Sequence, residues 1–225
     1  MSFVATHQIA AAQLSAEDDA RLYRHWQSLF EPFASSVADR GRAYADLTAR
    51  HREGHRAYHD LNRVLALVNQ AERLALPFAE PDVVGLSIWF HASIYQPTAR
   101  DNAERSAALA QEMLPTLGVP RRKIDRVATA ILATRRHVAT EYSFDQHGFL
   151  DLDMAVFGAE PTVYERYRQA VRTEFSWVAD TLYRAGRRRM CLAFLARPQI
   201  YFTDLMRRRY EDRARANLEA ELAML

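Results

Sequence analysis

The sequence predicts an all-α fold, a helical bundle of about eight to ten helices, and three observations carry that reading. Apolar residues recur at i, i+3, i+4 and i+7 along most of the chain, the spacing of a helix with one buried face. Only seven glycines and eight prolines occur, and they fall between these periodic stretches. No segment alternates apolar and polar residues as a half-buried strand does. With 225 residues, 49% of them hydrophobic, the chain can bury one substantial core, so residues 1–225 read as a single domain with N- and C-terminal helical extensions.

Ser15 with Asp18 three residues on resembles a capping box, and Leu22, Trp26, Leu29 and Phe30 form the stripe of the helix it opens. A second helix spans about Ser36 to His51 before Gly54. A third begins near His55, carries Tyr58, Leu61, Val64, Leu65, Leu67 and Val68, and stops before Pro77. Pro81 starts a helix from Val83 to Tyr95 with almost no polar face before His91, which predicts a place deep in the core. Helices follow from Asn102 to Leu117, Arg121 to His137, Leu150 to Phe157, Pro161 to about Ala185, Arg188 to Leu195, and Thr203 to the C-terminus.

Composition narrows the function classes. Lys and Arg total 30 against 28 Asp and Glu, a formal charge of +2, too small to supply the field that grips nucleic acid. The single cysteine, Cys191, sits in an apolar run, where a buried structural thiol is expected and no intrachain disulfide can form. No run of about 18 apolar residues is present, and the N-terminus lacks the pattern of a secretory signal. These features give the expectation of a cytoplasmic protein with no membrane and no nucleic-acid partner.

Three features have the residue types of a chemical site. His51, His55 and His59 form a cluster in which His55 and His59, four apart, would share a helix face as a metal-ligand pair, or as part of a solvated face. His91 lies in an otherwise apolar helix and would be either a ligand or a core histidine with satisfied hydrogen bonds. In Phe149-Leu-Asp-Leu-Asp-Met-Ala155 one aspartate can cap a helix, while the other, buried, requires a cation. Thr134 and His137 could reach a phosphate, or His137 could complement a helix C-terminus. The arginine runs 184–189 and 207–215 have acidic residues at i±4 and read as surface ion pairing.

In order along the chain, Glu53-Gly-His-Arg-Ala-Tyr-His-Asp-Leu-Asn-Arg63, Trp89-Phe-His-Ala-Ser-Ile-Tyr-Gln-Pro97, Asp101-Asn-Ala-Glu-Arg-Ser-Ala107, Thr134-Arg-Arg-His137, Phe149 to Ala155 and Ile200-Tyr-Phe-Thr203 resemble the motifs of HD-superfamily metal-dependent phosphohydrolases. The resemblance extends over almost the whole chain. It implies an HD-like bundle, a divalent metal (Mn, Fe, Ni, Co or Mg) held by His59, His91 and Asp153, and a small phosphorylated substrate, possibly a nucleotide. Arg56 and His137 would neutralise phosphate charge beside the catalytic His91 and Asp153.

Two positions depart from that pattern. Ala92 stands where the family has the motif aspartate, and Arg63 where it has a second histidine on the first ligand helix. The first ligand is then either His59 or the position of Arg63. The expectation is an impaired or inactive phosphohydrolase; the alternative is a metal-free pseudoenzyme that binds a phosphorylated ligand, with Arg63 in the cation's place. Both readings place His59, His91 and Asp153 around one pocket and turn Arg63 into it.

Overall fold

The computed structural model describes residues 14–225, which are 69% helical and contain no strand. Ten α-helices follow one another: α1 (Ala16–Ser28), α2 (Val37–His51), α3 (Leu61–Leu74), α4 (Pro81–Phe90), α5 (Asn102–Met113), α6 (Arg121–Ala133), α7 (Phe144–Met154), α8 (Pro161–Glu174), α9 (Asp180–Leu195) and α10 (Asp204–Met224). Short 3-10 turns, Leu114–Leu117 and Ala155–Gly158, follow α5 and α7. The bundle is all-α, as the periodicity predicts.

Helix α4 is the axis of the N-terminal part. Every residue from Val83 to Phe90 is buried, so it has no solvent face and takes neighbours all round: α3, α5, α6 and α7 pack on it. Trp26 of α1 meets Trp89 of α4 edge to face at 5.3 Å, and Phe30 at 4.7 Å. Each indole that this buries finds a partner for its N–H: Trp26 donates to the Arg40 carbonyl at 2.9 Å, and Trp89 to Nδ1 of His25 at 3.1 Å. Burial pushes the His25 pKa down to about 4, which keeps that nitrogen an acceptor.

The predicted cap at Ser15 forms, and the second helix has one like it. The Ser15 hydroxyl accepts from the Asp18 amide at 3.1 Å, and Ser36 repeats the arrangement with Asp39 at 3.0 Å. In the C-terminal part, α10 crosses the Ala155–Gly158 turn. A Cβ on Gly158 would lie 2.6 Å from Cβ of Tyr210 and 2.7 Å from its carbonyl oxygen, so this contact requires glycine. Among the described residues no helix is long and apolar enough to cross a membrane.

Several helix boundaries differ from the periodicity, and most of the differences have a side-chain cause. The third helix begins at Leu61 and not near His55, because Glu174 takes the amides of residues 57–59 and Asp60 caps the helix through the Arg63 amide at 3.0 Å. His55 and His59 therefore stand on a turn and share no helix face. Helix α4 stops at Phe90 and not Tyr95, since Arg56 draws off the Ala92 and Ser93 carbonyls and Ser106 holds Ile94. Helix α6 ends at Ala133; Arg197 binds the carbonyls of Arg136 and His137, and His137 takes a left-handed backbone, φ 48°. Helix α7 starts six residues before Leu150, at Phe144. The long helix expected to reach Ala185 is two, broken after Glu174, where Arg172 caps the Phe175 and Val178 carbonyls.

Trp26 fills the junction of α1, α2 and α4, and its truncation leaves a large hole that the flanking helices cannot close. Trp26→Ala is expected to cost about 3–5 kcal/mol, measured by chemical denaturation.

Candidate functional site

The segment between α2 and α3 has no regular structure of its own, and a carboxylate from a distant helix holds it. Glu174, on the last turn of α8, points inward: one oxygen accepts the amides of Ala57, Tyr58 and His59 at 2.8–3.0 Å, and the other accepts His59 Nδ1 and the Tyr95 hydroxyl at 2.8 and 2.7 Å. Burial alone would raise the Glu174 pKa, but the hydrogen bonds and charge of His59 and the further donors outweigh it and bring the carboxyl to about 2. The His59 ring also stacks on Tyr95 with centroids 4.1 Å apart. Its Nδ1–H is thereby fixed by a carboxylate and its plane by an aromatic face, an arrangement that leaves Nε2 as the basic nitrogen.

Arg56 completes the turn from the other side. Its guanidinium bonds Glu53 at 3.0 Å, the His59 carbonyl at 2.9 Å, the Ala92 carbonyl at 2.6 Å and the Ser93 carbonyl at 3.2 Å. With its side chain fully buried, Arg56 clamps the 53–59 turn to the end of α4; its donors are spent on the protein and not turned toward a phosphate.

A second carboxylate, Asp153 at the end of α7, gathers the residues that the sequence separates most widely. Arg63 Nη2 lies 2.9 Å from Asp153 Oδ1 and 2.5 Å from its carbonyl oxygen. His137 Nε2 bonds Oδ2 at 3.0 Å. His91 Nε2 faces Oδ1 at 3.8 Å, too far for a hydrogen bond. His91 Nδ1 donates to the Ile88 carbonyl at 2.8 Å, so Nε2 carries the lone pair, and that buried atom has no partner. Burial holds the His91 pKa below that of an ordinary imidazole, although Asp153 works the other way.

Burial opposes the charge on Asp153 too, but the His137 hydrogen bond, His91 and Arg63 outweigh it and hold the carboxyl well below the usual range. Arg63 is opposed by burial and supported by Tyr58 and Asp153, which keep its pKa raised. Its guanidinium sits 5.1 Å from the centroid of the Tyr58 ring. Tyr58 is the bridge between the two carboxylate knots, edge-on to His59 at 5.0 Å and to Tyr167 at 4.8 Å.

The ligand set that the HD resemblance implies is held by two carboxylates. His91 and Asp153 come together with Arg63 and His137, while His59 is committed through Nδ1 to Glu174. His91 has the tautomer of a metal ligand, but the oxygen it faces is already paired with a guanidinium. The residues present do not fit a divalent cation: a fixed positive charge 2.9 Å from Asp153 Oδ1 competes for the same carboxylate, and Ala92 offers no ligand. Among the described residues no group of three or more His, Cys, Asp or Glu side chains is arranged to hold a metal ion.

The remaining sequence candidates have structural partners. Asp151, fully buried, accepts the Phe202 amide at 2.7 Å and the Thr203 amide and hydroxyl at 2.8 and 2.7 Å, so it ties down the entry to α10. His51 Nε2 lies 3.1 Å from the Trp89 carbonyl, and His55 Nε2 lies 2.7 Å from the Tyr95 carbonyl. Thr134 caps the end of α6 through the Ile131 carbonyl at 2.7 Å. The sequence reading missed Glu174 and Tyr95. Glu174 had a signal: with Tyr164, Tyr167 and Val171 it continues the apolar stripe of α8, where a lone carboxylate needs donors.

Two measurements check these assignments. Arg63→Met leaves Asp153 buried without its cation and is expected to cost about 3–5 kcal/mol, most of it recovered by adding Asp153→Asn, as read by denaturant titration. Glu174 titrates near 4.5 when unfolded and at about 2 when folded. Its contribution, about 3 kcal/mol by linkage, is fully present above pH 4.5 and lost as the pH falls toward 2. Glu174→Gln should therefore flatten the acid limb of the stability curve across that window.

Comparison of the chain with family models, curated proteins and solved structures finds no match.

Proposed function

We propose that this chain is a metal-free, HD-like pseudoenzyme that binds a small phosphorylated ligand and does not hydrolyse it. One observation supports this above the others: the Arg63 guanidinium bonds Asp153 in a buried cluster with His91 and His137. A phosphohydrolase of this type needs that carboxylate for a cation that binds phosphate and activates water. Here the carboxylate has a cation already, one that cannot bind water as a ligand or polarise it for attack. The second departure, Ala92, lies beside His91 on the same segment and removes the other carboxylate. The two changes are chemically consistent, because losing a metal leaves a buried aspartate that requires a new counter-charge, and Arg63 supplies one.

The ligand class is what the HD resemblance implies. His59 and His137, whose side chains are each 27% exposed, each keep a second ring nitrogen beyond the one bonded to a carboxylate, and that nitrogen donates to a phosphate oxygen when the ring carries both protons. The parent reading, a metal-dependent phosphohydrolase impaired by the loss of one ligand, differs in one respect: it requires metal to bind and turnover to be recoverable.

Metal content and turnover separate the two. The purified chain is expected to contain no stoichiometric Mn, Fe, Ni, Co or Mg and to leave nucleotides and simple phosphoesters intact with any of them added. The double variant Ala92→Asp with Arg63→His is expected to take up metal and to exceed the unmodified chain by more than about 100-fold in hydrolysis, since removing even an outer partner of a metal site typically costs 10–100-fold. One metal per unmodified chain, with turnover abolished by His91→Ala, would overturn the proposal.

A further inference from the structure

Away from the Asp153 cluster, on the outer side of the 53–59 turn, the surface folds into a groove of about 990 Å³, at the upper end of the range for small-molecule clefts, roughly 300–1,000 Å³. Its walls come from the start of α1, the turn at residues 52–57, the start of α3, the loop after α4 and the end of α8. Arg63, His91, His137 and Asp153 do not line it, so the groove and the buried Arg63–Asp153 pair are separate sites.

The charged side chains of the groove already have hydrogen-bond partners. Arg52 bonds Asp19 at 2.6 Å, and Arg56 bonds Glu53 at 3.0 Å. Asp60 is taken by the Arg63 amide and the Asn62 side chain, and Glu174 already has five donors. An ionic ligand would have to compete with these bonds. The remaining capacity is neutral: the side-chain amide of Gln96 and the hydroxyls of Thr98 and Ser176, which line the groove and make no hydrogen bond among the described residues.

At the rim stands Trp177, 58% exposed, whereas Trp26 and Trp89 are fully buried. Its ring stacks on Phe175 at 6.4 Å and 30°, which braces the indole at the mouth. An aromatic face beside neutral donors and acceptors suits a ring compound that has one apolar face and hydroxyl groups around its edge. We propose that this groove binds an uncharged, hydroxyl-bearing ring compound, stacked on Trp177 and hydrogen-bonded by Gln96, Thr98 and Ser176. Free sugars and nucleosides both have this chemistry.

The test is calorimetric titration of the full chain with adenosine and, separately, with methyl glucoside, alongside tryptophan fluorescence, in which the exposed Trp177 is the indole that a ligand in the groove reaches. Saturable binding of either probe is expected. Adenosine alone assigns the stacked face to a base, methyl glucoside alone to a sugar, and both together to the shared ring. Gln96→Ala is expected to weaken binding about five- to tenfold and Trp177→Ala by more than about tenfold; both positions are on the surface, and circular dichroism checks that the fold is retained. No saturable binding of either probe, binding unchanged by both substitutions, or binding of inorganic phosphate in their place would overturn the proposal. Ala92 and Arg63 do not line the groove, and the probes here carry no phosphate and need no metal, so its failure is distinguishable from failure of the pseudoenzyme reading.

Discussion

Glu174 is a buried carboxylate with five hydrogen-bond donors and no Lys or Arg among them, and much of the local structure results from satisfying it. Three consecutive amides can converge on one oxygen only if residues 57–59 leave the helical conformation. That requirement delays α3 to Leu61 and brings the end of α8 against the loop after α4 through Tyr95. It also sets His59, because the same carboxylate takes its Nδ1. A buried acid without such partners would protonate; this one is held ionised by a geometry that separate segments of the chain must supply together.

The Arg63–Asp153 pair obeys the same constraint with a different solution. Desolvating two charges costs several kcal/mol per ion, and their attraction offsets this only when further bonds satisfy the remaining atoms. His137, the Asp153 carbonyl and the Tyr58 face provide much of that here. The satisfaction is incomplete: Arg63 Nε and His91 Nε2 are both without partners. Stability does not by itself explain this buried polar cluster, since an apolar core of the same shape would hold the helices as well or better. Asp151, two residues away on α7, makes the contrast: that carboxylate has amide and hydroxyl donors at the entry to α10 and serves the fold alone.

Other buried polar groups stiffen the C-terminal helices. Arg187 and Glu221 pair at 2.7 and 2.8 Å, with the Tyr164 hydroxyl donating to the same carboxylate at 2.6 Å. Tyr167, bonded to Arg187 at 3.1 Å, packs in turn on Tyr58. A path of contacts therefore runs from α10 to the Arg63 cluster, which ties the position of the candidate site to helices that contribute no residue to it.

The sequence by itself determined the helical class, the core stripe of α1, the buried run of α4, the Ser15 cap, and the residues His91, Asp153, Arg63 and His137 that the fold then gathers. These were legible because apolar periodicity and capping are local, and because a titratable group in an apolar run has few fates. What only the tertiary structure decided was where the helices stop and how the histidines divide. His55 and His59 are four residues apart in a segment with helical periodicity, yet Glu174, more than a hundred residues away, withdraws the amides that a helix there would need. Arg56, a phosphate-binding candidate by motif, becomes a clamp because the carbonyls of Ala92 and Ser93 come within its reach. Hydrogen-bond donors are satisfied by whatever partner folding brings nearest, and spacing along the chain does not record partners that come from elsewhere.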